Sequence, residues 1–426
     1  MPDNINDTLL LSQTSFLKWR QTPISERCSA LNAWADKVDA QKDTLAAIIT
    51  SEIKKPITQS IAEIDKCIKA IKWFTQAAAK HTWQETLTEG SIKHTPLGPI
   101  LGIMPFNFPC WQSIRFMVPT LLSGCTIIIR PPQYGQKSIQ YLIDLATTLP
   151  HGVAQIIECP HEQINKIIHH QIIRGASFTG SSHVGSLIGQ YCGSAIKPVI
   201  LELGGDDAYI ICDDADLETA AQKIAISRLR NNGQACSAAK RILLTPSTEH
   251  DFINHLIDTL QNIKYGSIMD ESTEIGPLVS QQAYDRLTQQ VDKSIQEGAQ
   301  VIYQGRRSNT ENFYPPTILH YTIDEHNTPH DELFGPVFSL YTCKNQTEMI
   351  SVANQTNFGL CSGVFTQNRE TAQSIMDQLQ SGQVCHNMCF SSEPHLPFTG
   401  IKDSGIGSEC SANALNNFTF PKLYRF

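Results

Sequence analysis

The sequence predicts an α/β protein built from two mainly parallel sheets, each covered by helices, and three observations carry that prediction. Between residues 100 and 204, short β-rich runs alternate with segments of helical periodicity. A second alternating series follows residue 205, while the first hundred residues read mainly as helix. A chain of 426 residues, 41% hydrophobic and 17% charged, is also long enough for two or three domains with cores of their own.

Taken in order, Ile61, Ile64, Cys67, Ile68, Ile71 and Phe74 recur at three- and four-residue spacing. That apolar stripe predicts a core-facing helix with little catalytic content, and Pro56 marks where the preceding helix stops. Residues 83–95 alternate polar and apolar side chains and predict a hairpin outside both series. The first series has β-rich runs at 100–103, 126–130, 154–157 and 199–203, with helical pattern at 136–148, 161–169 and 182–192. The second has strands at 208–212 and 240–244, with helices at 217–229, 252–263 and 281–297. No long linker separates the two series, so they should share a tight interface with a cleft between them.

Composition removes several classes of function. With 33 basic and 41 acidic residues the net charge is −8, and no block of lysines or arginines offers a nucleic acid a landing site. Thirteen cysteines, an odd number spread from Cys28 to Cys410, do not form a secreted disulfide framework and point to a reducing compartment. The N-terminus lacks a signal-peptide pattern, and no stretch approaches the roughly 20 apolar residues of a membrane span. A soluble, cytoplasmic protein is expected. There is no G-x-G-x-x-G after a strand, no Walker-type loop and no H-E-x-x-H. Cys385 to Cys389 hold two thiols and one His without a second ligand pair, so no metal is expected.

Three residues stand out chemically. Cys236 lies in Asn231-Asn232-Gly233-Gln234-Ala235-Cys236, where a Gly-containing turn surrounds a thiol with backbone N–H groups. Glu202 ends an apolar run before Gly204-Gly205, a placement suited to a general base, although an exposed edge acid would look the same. Asn107 is fixed within Pro105-Phe106-Asn107-Phe108-Pro109, a rigid mount for an oxyanion donor or simply a turn.

Pro105–Pro109, Phe178-Thr179-Gly180-Ser181, Glu202–Gly205, Gly233–Cys236, Glu332–Val337, Pro397-Phe398 and Asp403–Gly407 occur in the order and spacing of the aldehyde dehydrogenase superfamily. The resemblance runs from about residue 15 to the end, with the N-terminal strand pair of relatives expected to be missing. It implies a Rossmann-type cofactor domain (1–81 and 97–204), an α/β catalytic domain (205–400) and a small oligomerisation arm and tail (82–96 and 401–426). It also implies that Cys236 attacks the aldehyde carbon, that Asn107 and the Cys236 N–H hold the oxyanion, and that Glu202 activates water. The cofactor, NAD or NADP, would lie with its pyrophosphate at Gly180-Ser181. Phe106 and Leu203 would line its site, Glu332 would bind the nicotinamide ribose, and Phe334 would lie by the ring. Where relatives place Lys-Pro-x-Glu at the adenosine ribose, this chain has Arg130-Pro131-Pro132-Gln133, which leaves a cation and no carboxylate, so both cofactors stay open.

Arg115, eight residues after Asn107, and Arg230, six before Cys236, match the substrate-carboxylate arginines of succinate-semialdehyde dehydrogenases. Ser392, five before Pro397, matches the serine that assists them, and Phe398 would line the same pocket. The neighbourhood 105–115 is most similar to the shorter bacterial branch of that group. Competing readings are a CoA-acylating enzyme, which needs no hydrolytic base, a dehydrogenase of another carboxylated or aliphatic aldehyde, and a catalytically silent binding protein. Thr399, where relatives have glycine, reshapes the expected pocket mouth. The resemblance further implies a homodimer or homotetramer.

Overall fold

The computed structural model describes residues 3–323 and 331–426. Four helices lead the chain: Asp3–Trp19, Ile24–Ala40, Lys42–Ile53 and Ile57–Lys80. Lys54 takes a left-handed conformation (φ 68°) that closes the third, and Pro56 caps the fourth, as its fixed φ allows at a helix entrance. Ile64, Cys67, Ile68, Ile71 and Phe74 are buried in one cluster with Trp111, Ile114 and Leu121 of the helix Pro109–Leu122. The helical stripe thus packs against the element that carries the Asn107 mount.

The first sheet runs in the order Gly405–Ile406, Val199–Glu202, Gly175–Thr179, Pro99–Ile103, Thr126–Arg130, Ala154–Ile156, parallel except for its first strand. Numbered by chain position, its five parallel strands lie 3-2-1-4-5, and the order reverses between Pro99–Ile103 and Gly175–Thr179. Ligands of doubly wound sheets sit at that reversal, beyond the strand C-termini. Strand Gly175–Thr179, quoted in the sequence only for its last two residues, completes the set and is buried throughout.

The second sheet has seven strands in the order Gln300–Gln304, Thr317–Tyr321, Val337–Thr342, Arg241–Leu244, Ala208–Ile211, Cys361–Phe365, Gln383–His386, with only the first pair antiparallel. Its apolar cores lie on both faces, under helices Leu217–Leu229 and Pro246–Gln261 on one side and Gln281–Gln296, Gln346–Asn354 and Arg369–Met376 on the other. A third, antiparallel sheet joins Gln84–Leu87, Gly90–Pro96 and Thr419–Arg425.

The tail departs from expectation. Residues 401–406 do not extend with the arm but stitch the two sheet systems together: Ile401–Lys402 pairs with Phe358–Gly359, and Gly405–Ile406 pairs with Leu201 and Glu202. Gly405 permits this approach, because a Cβ there would lie 2.3 Å from the Leu201 carbonyl oxygen.

Candidate active site

The turn that carries Cys236, the nucleophile expected from the sequence, follows helix Leu217–Leu229. Asn231 (φ 52°), Asn232 (φ 58°) and Gly233 (φ 79°) are consecutive left-handed residues, a conformation that asparagine tolerates and glycine adopts freely. A Cβ on Gly233 would fall 2.1 Å from the Gly335 carbonyl carbon, so the turn is pressed against the Gly335-Pro336 loop. Its amide side chains act as staples. Asn231 Nδ2 donates to the carbonyls of Asn107 (2.8 Å) and Gln234 (3.2 Å), while Asn232 bonds Lys54 O, Pro277 O and the Gly276 N–H. Gln59 accepts from the Asn231 N–H at 2.7 Å, and Gln234 accepts from Val279 N at 3.1 Å.

Cys236, half-buried at the end of this turn, has its thiol pushed up to about 11 by burial, with Lys240 opposing the shift and Glu332 adding to it. Lys240 donates to the Cys236 carbonyl and sits 3.2 Å from Glu332 Oε1. Among the described residues, the Cys236 N–H donates to no protein acceptor. Asn107 Nδ2 gives one hydrogen to Gln234 O at 3.0 Å, which leaves its second free. Two free donors beside a thiol can hold an oxyanion.

The mount of Asn107 depends on a pair that the sequence reading missed. Glu63 Oε1 accepts from the N–H groups of Cys110 and Trp111, both at 2.9 Å, which caps helix Pro109–Leu122. Its other oxygen pairs with fully buried Lys55, whose ammonium lies 4.5 Å from the Phe108 ring centroid. The helix expected to have little catalytic content therefore supplies Gln59, Glu63 and Lys66 to the site, and its lead-in supplies Lys54 and Lys55. The signal was available: positions 59, 63 and 66 share a helical face.

Glu202 ends its strand only 2% exposed, with neither carboxylate oxygen partnered in the described structure. Burial holds its carboxyl well above the usual range, with Arg115 opposing and Glu409 reinforcing the shift. Arg115 is likewise buried, ion-paired through Nε to Glu409 and seated 4.7 Å from the Phe398 ring centroid. Burial works against its charge, but Glu409 and then Glu202 outweigh that. Ser177 Oγ also donates to Glu409, at 3.3 Å. Glu409 was not singled out in the sequence, and no spacing rule links it to Arg115. Arg115 is thus brought to the site with its charge already balanced.

The other predicted substrate residues meet around Phe108 and Trp111. Arg230 lies 5.7 Å from the Phe108 ring centroid and reaches the hydroxyls of Ser391 and Ser237 only at 3.4 Å, with its buried Nε unpartnered. Ser392 Oγ accepts from Lys66 Nζ at 2.9 Å and Trp111 Nε1 at 3.1 Å. Phe398 stacks on Phe390 with centroids 5.5 Å apart.

The predicted cofactor residues gather at the strand-order reversal. Helix Ser182–Ser194 begins there with Ser181 as its cap, its hydroxyl accepting from Val184 N at 3.4 Å. A Cβ on Gly185 would lie 2.3 Å from Leu203 Cδ2, so glycine lets the helix settle on the strand end. Phe106 and Phe334 meet edge-on at 6.1 Å. Buried Arg228 donates to the carbonyls of Leu333 (2.5 Å) and Val337 (2.6 Å) and so fixes the loop that presents Glu332. Arg130 lies 3.4 Å from His161 Nε2, and Gln133 is exposed nearby. A helix N-terminus, an aromatic pair and the Glu332 carboxylate form a set of groups whose chemistry fits a nicotinamide dinucleotide.

Three comparisons with known proteins place the chain in one family. The model of the aldehyde dehydrogenase family matches residues 2–423, extending the resemblance ahead of its expected start. A Mycobacterium avium protein named succinate-semialdehyde dehydrogenase (NADP+) is 33% identical over 414 residues, 95% of this chain and 88% of its own. The crystal structure of a Streptococcus pyogenes succinic semialdehyde dehydrogenase with NADP+ superposes with a TM-score of 0.95 at 29% identity, covering 100% of this chain and 96% of that one. The NAD+ complex of a Bacillus cereus aldehyde dehydrogenase gives 0.94 at 29% identity, over 99% and 88% of the two chains.

Proposed function

Because this chain belongs to the aldehyde dehydrogenase family, we propose that it oxidises succinate semialdehyde to succinate through a thioester on Cys236. Relatives of the family bind NAD or NADP, and residues 180–181, 203, 332 and 334, with Phe106, would hold either one here. When bound, the nicotinamide accepts the hydride that leaves the aldehyde carbon. Cys236 Sγ gives its proton to solvent and adds to that carbon, while the free Asn107 Nδ2–H and the Cys236 N–H hold the oxygen. Glu202 takes a proton from the water that attacks the thioester and returns it to the departing sulfur, so that Cys236 leaves as a thiol. Burial holds the Glu202 carboxyl well above its usual range, so its base form gains as pH rises over a range displaced upward from that of an ordinary carboxylate. Arg115 favours that ionisation and Glu409 opposes it.

The observation that carries the substrate assignment is Arg230, a half-buried guanidinium beside the Cys236 turn with no carboxylate partner among the described residues. A substrate carboxylate would supply one. Retention of Glu202 favours hydrolysis of the thioester over its release to CoA. With Arg130 beside His161 and neutral Gln133 at the adenosine ribose, we expect NADP to be accepted as well as NAD. No described helix is long and apolar enough to cross a membrane, and all thirteen cysteines are free, which supports the cytoplasm as its compartment. Leu87, Phe420 and Leu423 are exposed on the third sheet, which supports subunit pairing there as a homodimer or homotetramer.

The test is nicotinamide reduction with succinic semialdehyde and butanal, each with NAD and NADP, repeated with Cys236→Ala. The expected result is preference for the carboxylated aldehyde and loss of turnover by at least about 10⁴-fold in the variant. Equal kcat/KM for the two aldehydes would overturn the substrate assignment; no turnover with either would favour a silent binding protein.

A further inference from the structure

We infer that Lys66 is a specificity-determining residue of the substrate pocket: with Arg230, and across Ser392, its ammonium receives the distal carboxylate of the aldehyde. This rests on the carboxylated-aldehyde reading above and adds to it a cation that was not among the sequence-predicted residues. The case begins with unequal pairing along one helix. Lys69 meets Glu393 at 3.1 Å, Lys72 meets Asp36 at 3.4 Å, and Lys55, just before the helix, is paired with Glu63. Lys66 alone of these four makes no ion pair among the described residues, although it is largely removed from solvent.

The side chain is held in place all the same. Its ammonium lies 4.3 Å from the Trp111 ring centroid and 2.9 Å from Ser392 Oγ. Ser392 also accepts from Trp111 Nε1, so both its lone pairs are engaged and its own O–H remains to be given. An ammonium, a hydroxyl with a free hydrogen and the Arg230 guanidinium thus face one region, and all three are donors. Such a set recognises a carboxylate. Arg115 differs, because Glu409 already balances its charge, and outside that ion pair Nη2 alone of its buried nitrogens lacks a partner among the described residues.

The charges facing Lys66 from neighbouring elements sharpen the point. They are Arg230, Arg115 and Glu393, with the Cys410 thiol held neutral near 12, and Glu393 is already engaged by Lys69. Burial first, and Arg230 second, push the Lys66 ammonium down to about 8. Below that pH it is charged and can hold the substrate; as pH rises through it, the contact is lost.

The experiment compares wild type, Lys66→Met, Lys66→Arg and Arg230→Met with succinic semialdehyde and butanal between about pH 6.5 and 9.5. Methionine keeps the aliphatic contact with Trp111, and arginine restores the charge. In wild type, KM for succinic semialdehyde should rise above about pH 8 relative to that for butanal. Lys66→Met should lower the succinic semialdehyde to butanal ratio of kcat/KM by roughly 10- to 100-fold at pH 7 and abolish the inflection. Lys66→Arg should restore most of the ratio and shift the inflection out of range. If Arg230→Met loses the ratio while Lys66→Met keeps it, the carboxylate reading stands and the role of Lys66 falls. If neither variant changes the ratio, both fall together.

Discussion

The two sides of Cys236 are built on opposite terms. On one side, the turn 231–236 has its polar side chains tied to partners: Asn231, Asn232 and Gln234 each bond backbone groups from other segments, and Glu63 caps the neighbouring helix. On the other side, Arg230 makes only two long contacts and Lys66 has a hydroxyl where its neighbours have carboxylates. Dense hydrogen bonding to backbone groups, which leaves only Asn231 Oδ1 of these amides buried without a partner among the described residues, fixes geometry before the substrate arrives, as an oxyanion site requires. Unsatisfied cations leave attraction to be completed by the substrate, at some expense to the stability of the empty site.

That contrast can be broken in three places. Asn107→Ala removes both an oxyanion donor and a bond to Gln234 O, and should lower kcat by roughly 10²–10³ in steady-state assays. A loss mainly in KM would show instead that Asn107 serves binding. Next, a thiol held near 11 is mostly protonated at neutrality, so the rate of iodoacetamide labelling of Cys236 should climb about tenfold per unit between pH 7 and 9 without a plateau. A plateau below pH 8 would mean that Lys240 and Arg115 outweigh burial. Smallest in effect, Asn231→Ala should cost about 1–3 kcal/mol in urea unfolding, because it strips the turn of two bonds and puts alanine at φ 52°. Arg230→Met should instead leave stability nearly unchanged, because it removes a half-buried charge held by two hydroxyl contacts of 3.4 Å and no carboxylate. Equal destabilisation by both would erase the distinction. Arg115→Ala is a poorer probe, since it strands buried Glu409.

Much of this site was legible in the chain because its chemistry is local. Asn107 between prolines, Cys236 after its Gly turn and Glu202 before two glycines each announce themselves within a few residues, and strand Thr126–Arg130 and helices His161–His169 and Leu217–Leu229 have the limits their patterns suggest. What escaped is non-local. Glu63 acts on helix Pro109–Leu122 from 47 residues before Cys110, and Lys66 meets Ser392 across 326 residues. Attention to the apolar stripe also hid the polar one on the same helix. Strands Thr317–Tyr321 and Val337–Thr342 went unread because Pro315-Pro316 and Gly335-Pro336 directly precede them and break the texture.

The tail gives these placements an order in time. Gly405–Ile406 lies beside the strand that ends in Glu202, and Glu409 supplies the partner of Arg115. During synthesis, therefore, Cys236, Asn107 and the parallel strands of both sheets leave the ribosome before the tail residues that flank Glu202. A chain that stops near residue 400 has its nucleophile and lacks the surroundings of its base. On the proposed mechanism, competence for hydrolysis is then acquired only after residues 405–409 have joined the fold.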